Sequence, residues 1–112
     1  MQKDIVIVGA GPAGIFTALE LLKLGSDRKI TIIEKGKAVE NRSCPKSKVG
    51  HCVNCKNCNI TTGFSGAGAF SDGKLSLSPD VGGELPDLIG REKIAETIAY
   101  TDKIYLEFGA DT

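Results

Sequence analysis

The sequence predicts an α/β fold, and three observations carry that prediction. Asp4 to Val8 (DIVIV) is a short β-branched run of the kind found in buried strands. It leads into a glycine-rich corner and then a stretch with a 3.6-residue apolar period. A second β-branched run, Ile30 to Glu34 (ITIIE), follows. Strand, helix and strand within about 30 residues make one crossover unit, so the two strands are expected to run parallel.

The elements follow in order. Gly9 to Gly14 is the turn out of the first strand. The helix is expected from about Pro12 to Leu24, with Ile15, Ala18, Leu19 and Leu22 on one face. Pro12 suits the first helical turn and Gly25 the position just past the end. After the second strand, periodicity disappears from Lys35 to Asn59. So long a segment without structure of its own is unusual in a compact domain and points to ordering by a ligand or metal. Ile60 to Leu77 is rich in Gly and Ser, and Ser78 to Gly90 reads as a loop. Arg91 to Phe108 reads as an amphipathic helix with Ile94, Ile98, Tyr105 and Phe108 in its stripe and Gly109 as its cap. The expected organisation is a nucleotide unit at 1–36, a Cys-rich loop at 37–59, and a Gly-rich segment with the helix at 60–112. Two parallel strands do not make a stable sheet alone. The chain is therefore expected to be the N-terminal part of an incomplete domain, with the remainder of a longer polypeptide completing the sheet.

Composition narrows the function. The chain has 112 residues, with 14 Lys and Arg against 14 Asp and Glu, so its net charge is zero. That argues against a charge-driven role on nucleic acid or a membrane surface. The longest apolar stretch, Ile5 to Ile15, is broken by Gly9, Gly11, Pro12 and Gly14 and cannot span a bilayer. Met1 to Asp4 leads straight into a strand, so no signal peptide is expected and a cytoplasmic location follows.

Gly9-Ala10-Gly11-Pro12-Ala13-Gly14 is a complete G-x-G-x-x-G between a strand and a helix, and Glu34 stands about 20 residues further on at the end of the next strand. Gly9 permits the tight turn. Gly11 lets a pyrophosphate approach the backbone, and Gly14 lets the helix pack closely. The helix N-terminus offers unpaired N–H groups to the phosphates. Glu34 can accept hydrogen bonds from a ribose, and its charge disfavours a 2′-phosphate. These residues define a Rossmann-like βαβ dinucleotide-binding unit, whose fingerprint physics serves FAD and NAD alike. In Gly63 to Lys74, Gly66 and Gly68 permit close approach by a flat or anionic ligand; an ordinary Gly-rich loop is the alternative.

DIVIVGAGPAG followed by ITIIEKG resembles the N-terminus of FAD-dependent oxidoreductases of the glutathione-reductase-like class. With Thr62 to Leu75 (TGFSGAGAFSDGKL), the whole chain resembles the bacterial NAD(P)/FAD-dependent dehydrogenases. The resemblance implies that Gly9, Gly11, Pro12, Ala13 and Gly14 contact the pyrophosphate of FAD and that Glu34, with Lys35 beside it, serves the adenosine ribose. It further implies that Arg42 lies near the cofactor phosphates and that Ser65, Gly66, Ala67 and Gly68 lie toward the flavin. Catalytic residues are expected outside this chain.

The cysteines are spaced Cys44-x7-Cys52-x2-Cys55-x2-Cys58, with His51 beside Cys52. Four soft ligands so close suit zinc or an iron–sulfur cluster. The order reverses the ferredoxin run, so that motif fails. Free thiols in a loop, or a C-x-x-C redox pair, are the other readings. Lys37, Lys46 and Lys48, like Lys35, read as a solvated face.

The function expected is an FAD-dependent oxidoreductase, reduced by NAD(P)H and acting on a small-molecule substrate or electron acceptor, with this chain supplying the ADP-binding part of the flavin site. The alternatives are a non-catalytic nucleotide- and metal-binding module, and an NAD-dependent dehydrogenase using the same fingerprint.

Overall fold

The computed structural model describes residues 4–112, which divide into two units at the Asp72–Gly73 junction. The first opens with β1 (Ile5–Val8), α1 (Pro12–Lys23) and β2 (Ile30–Ile33). β1 and β2 pair in parallel, with Ile5 opposite Ile30, Ile7 opposite Ile32 and Val8 opposite Ile33. The ladder continues past both ends, as Ile5 donates to the Lys29 carbonyl at 2.9 Å and Gly9 to the Ile33 carbonyl at 2.7 Å. Side chains alternate between the faces of a strand. Ile5, Ile7, Ile30 and Ile32 are half-buried, while Val6, Val8, Thr31 and Ile33 are exposed.

α1 begins with Pro12 in its first turn and ends where the sequence places its stop. Gly25 takes a φ of +73°. Its N–H donates to the Leu22 carbonyl, and the Ser26 N–H donates to that of Leu21, both at 3.0 Å. This pair of bonds is a Schellman cap, which satisfies carbonyls left over at the helix end. Of the expected apolar face, Ile15, Ala18 and Leu19 are half-buried, but Leu22 in the last turn stays 62% exposed.

The segment between β2 and the Gly-rich stretch is less shapeless than its lost periodicity suggests. It holds a 3-10 turn at Val39–Asn41 and the short helix α2 (Lys46–Val49), which starts after Pro45 and stops at Gly50 with a left-handed φ of +80°. The Gly-rich stretch itself forms a 3-10 helix at Gly66–Phe70.

The second unit contains α3 (Leu85–Ile89) and α4 (Arg91–Glu107). α3 lies within the expected loop, because Pro86 sits in the first helical turn, the one place a helix accepts it freely. Gly90 separates the two helices with φ +87° and ψ +147°. α4 buries Ile94 and Ile104, with Ile98, Thr101 and Tyr105 half-buried. The expected stripe is thus corrected at its end: Ile104 is the buried residue, and Phe108 is a 76% exposed cap position. Gly109 (φ +93°) closes a second Schellman cap, its N–H on the Leu106 carbonyl and that of Ala110 on the Tyr105 carbonyl. Arg91, the first residue of α4, forms a two-pronged ion pair with Asp80. No helix among the described residues is long and apolar enough to cross a membrane.

Candidate functional site

Three stretches of the first unit converge at the carboxyl ends of β1 and β2. They are the corner Gly9–Gly14, the turn Glu34–Lys37, and the start of the Gly-rich stretch, Gly63–Gly66.

The corner has the shape its glycines predict. Gly9 takes a φ of +103°, a conformation side chains disfavour. Gly14 lies so close to the turn that a Cβ there would sit 2.0 Å from the Gly9 carbonyl oxygen and 3.2 Å from Ile7 Cγ2. Gly11 differs: its φ of −80° suits any residue, and a Cβ there would meet nothing within 4 Å. Its lack of a side chain keeps space open in front of the helix. Gly11 is also the N-cap of α1, with no side-chain capping bond and no acidic residue in the first turn. The Ile15 N–H takes the Gly11 carbonyl at 3.0 Å. The N–H groups ahead of it have no carbonyl one turn back inside the helix. Their dipoles, and that of the helix, point at the open space. Pro12 and Ala13 are exposed there, while Ala10 is fully buried.

Glu34 leaves the ladder one residue after β2 and turns back on the corner. Its carboxylate accepts from the Ala10 N–H at 2.9 Å and from the Gly36 N–H at 2.8 Å. Those two backbone donors, Ala10 above Gly36, hold the carboxyl below its ordinary value, with smaller help from Lys35 and Arg42. A carboxylate offers about four lone-pair directions, so these two bonds leave acceptor capacity. Lys35 is exposed beside it.

The Gly-rich stretch is tied to the corner by the Ser65 N–H, which donates to the Ala10 carbonyl at 2.7 Å. Gly66 follows closely enough that a Cβ there would lie 3.4 Å from Gly11 Cα and from Pro12 Cδ. Ser65 adopts a left-handed φ of +72°, which is rare for a residue with a side chain. Ala67 and Gly68 continue into the 3-10 helix and are exposed. Behind the corner, Gly36 crosses Gly63 with backbone against backbone: a Cβ on Gly36 would lie 2.4 Å from Gly63 Cα.

Arg42, expected near the cofactor phosphates, gives its hydrogen bonds to backbone carbonyls that lead into the Gly-rich stretch. Only 5% exposed, it donates from Nε to the Asn59 carbonyl and from Nη2 to that of Ile60, both at 2.8 Å. Its Nη1 serves the carbonyls of Phe64 at 2.7 Å and Gly66 at 2.8 Å. The Phe70 ring lies 4.8 Å from the guanidinium carbon. Four of the five N–H donors of a guanidinium are therefore engaged with backbone.

The cysteines are not drawn together. Cys44 is half-buried; Cys52, Cys55 and Cys58 are exposed, and all four are free thiols. Among the described residues, no group of three or more His, Cys, Asp or Glu side chains is arranged to hold a metal ion, so the metal site expected at Cys44, Cys52, Cys55 and Cys58 lacks geometric support. The Cys52 thiol instead faces the Asn54 side-chain oxygen at 3.7 Å, and His51 Nδ1 faces the Val49 carbonyl at 3.1 Å. The Cys58 thiol is shifted down, first by the Thr61 N–H, then by the Ile60 N–H and the Thr61 hydroxyl. C-x-x-C spacing brings two thiolates to one ion only when the backbone curls around it, and the described residues assemble no such group.

In the second unit, a cleft of about 300 Å³ lies among Leu75, Pro79, Leu85, Ile94, Ile98 and Tyr105. Its lining carries no charged side chain. Its polar lining is limited to the hydroxyl residues Ser76, Thr97, Thr101 and Tyr105, whereas the uncapped helix N-terminus and the Glu34 carboxylate lie at the corner.

Ala10, Gly36 and Gly63 are central to this site and were not singled out by their sequence. Ala10 is an unspecified position of the fingerprint, and its importance lies in its backbone. Gly36 and Gly63 each fall inside a quoted motif, ITIIEKG and TGFSGAGAFSDGKL, but their close approach to each other is a tertiary requirement that neither motif shows.

The sequence pattern of the pyridine nucleotide-disulphide oxidoreductase family matches residues 3–95. A protein of Clostridium beijerinckii, described as uncharacterized, is 44% identical over 73 residues, which is 63% of this chain and 13% of that protein. A mitochondrial electron transfer flavoprotein-ubiquinone oxidoreductase of Dictyostelium discoideum is 48% identical over 42 residues, 34% of this chain and 7% of that protein. The chain thus spans a small part of the length of the curated relatives it matches. No solved structure matches.

Proposed function

The chain belongs to the pyridine nucleotide-disulphide oxidoreductase family, and from that premise we propose that it forms the ADP-binding part of the FAD site of a flavin-dependent oxidoreductase. One observation carries the reading: the N-terminus of α1 is uncapped and opens, at Gly11, on space that a side chain would fill.

The residues present fit the ADP half of FAD. The backbone N–H groups of Gly11, Ala13 and Gly14 donate to the pyrophosphate, which replaces the missing cap. Pro12 sets the first turn without adding a donor. Glu34, held to Ala10 and Gly36, takes the ribose hydroxyls on its remaining lone pairs. Its lowered pKa keeps it charged at neutral pH, which repels a 2′-phosphate and favours an unphosphorylated adenosine ribose. Ser65 and Gly66, tied to the corner, lead Ala67 and Gly68 toward the flavin side. When bound, the flavin supplies the redox chemistry, and this chain binds and orients it. FAD rather than NAD is favoured here by the relative whose name contains flavoprotein-ubiquinone oxidoreductase. NADH or NADPH is the reductant, bound elsewhere. The substrate or electron acceptor and the catalytic groups belong to the remainder of a longer cytoplasmic polypeptide.

The test is the absorption spectrum of the purified protein. A resolved flavin band, bleached by NADH or NADPH, supports the reading. Gly11→Val keeps a compatible backbone and fills the open space, so FAD affinity should fall at least about 100-fold while the fold survives. Undiminished flavin in that variant would place the pyrophosphate elsewhere.

A further inference from the structure

Arg42 is buried, carries a permanent charge, and directs its hydrogen bonds to backbone carbonyls of one distant segment. We propose that Arg42 is a positioning residue for the nucleotide site: its guanidinium gathers the Asn59–Gly66 segment and sets Ser65 against the fingerprint corner, building one wall of the site before any cofactor arrives. The inference rests on the reading of that corner as a dinucleotide site.

The geometry is specific to an arginine. Nη1 bridges the carbonyls of Phe64 and Gly66, the two neighbours of Ser65. Ser65 is thereby held from both sides in a left-handed conformation it would not choose, and in that conformation its N–H reaches the Ala10 carbonyl at 2.7 Å. Nε and Nη2 anchor the start of the same segment at Asn59 and Ile60. The arginine stem lies where Gly63 has no side chain, since a Cβ there would come within 2.6 Å of Arg42 Cδ. Phe70 offers its ring to the guanidinium. A lysine carries the same charge on one atom and cannot reach four carbonyls in a plane. Arg42 thus acts on the cofactor through Ser65 and Gly66.

The test compares an arm without cofactor and an arm with FAD. In the wild-type protein without cofactor, the Ser65 amide should exchange with solvent at least about 100-fold more slowly than an open loop amide. Arg42→Lys and Arg42→Ala should both lose that protection, and both should weaken FAD binding about tenfold or more, alike despite their different charge. Added ethylguanidinium should restore protection and FAD affinity to Arg42→Ala; ethylammonium should not. A freely exchanging Ser65 amide in the wild type overturns the proposal. So does a folded Arg42→Lys protein with wild-type protection and FAD affinity, the behaviour of a cation that simply contacts phosphate. A variant that fails to fold leaves the wild-type arm decisive. If the wild type binds no FAD, the proposed function fails, and the exchange arm still decides what Arg42 does.

Discussion

Gly14 and Gly11 stand in one motif for opposite reasons, and substitutions should separate them. At Gly14 a new Cβ meets the Gly9 carbonyl at 2.0 Å, and backbone cannot step aside as a side chain would. Gly14→Ala should cost about 3 kcal/mol, read from a urea midpoint, and lose the cofactor with the packing. Gly11→Val should stay within about 0.5 kcal/mol and still lose the cofactor. Glu34 adds a pH signature. Its folded pKa lies below the ordinary value of 4.5, so what it contributes to stability is complete above 4.5 and fades as pH falls through the lowered value. Glu34→Gln should flatten the acid side of the stability curve relative to wild type; parallel curves would sink the assignment. Gly9, Gly14 and Glu34 were legible in the sequence because the fingerprint spaces them by backbone geometry. The role of Arg42 was not. Its partners are carbonyls between 17 and 24 residues away, and a carbonyl leaves no mark on residue identity.

The elements that obey local rules were legible to within a residue. β1, α1, β2 and α4 are each bounded by a turn glycine or a change of period, and both helices end in the glycine cap the sequence offers. The short pieces were missed because few residues give no period to count. α2 holds four residues, α3 five, and the Gly66–Phe70 turn five. On α4 the period placed Ile94, Ile98 and Tyr105 on the inward stripe but carried it one turn too far, and Ile104, beside Tyr105, rather than the cap residue Phe108 took the interior. Ile104→Ala should therefore destabilise the second unit by about 2–4 kcal/mol, whereas Phe108→Ala should fall within about 0.5 kcal/mol in the same urea titration.

Across the molecule, burial is thin: among the described apolar residues only Ala10, Ile94 and Ile104 are buried. In the first unit Val6, Val8 and Ile33, 53–84% exposed, form an apolar sheet face. Parallel sheets are covered on both faces. The 112-residue chain should accordingly enhance the fluorescence of an apolar dye such as ANS, and Val6→Thr with Val8→Thr should reduce it; an unresponsive dye would mean the face is already covered. The crossing of Gly36 over Gly63 bears on how such a chain tolerates change. Everything between those two glycines leaves and returns through one clasp, with the exposed thiols on the far side of it. Lengthening a loop costs only logarithmically in entropy, so a flexible graft between Lys56 and Asn57 should be accepted without disturbing the corner. The clasp would then make the Cys52–Cys58 stretch a natural port for a tag or a sensor, joined to the nucleotide unit while the Arg42 bonds to Asn59, Ile60, Phe64 and Gly66 keep the wall of the site in place.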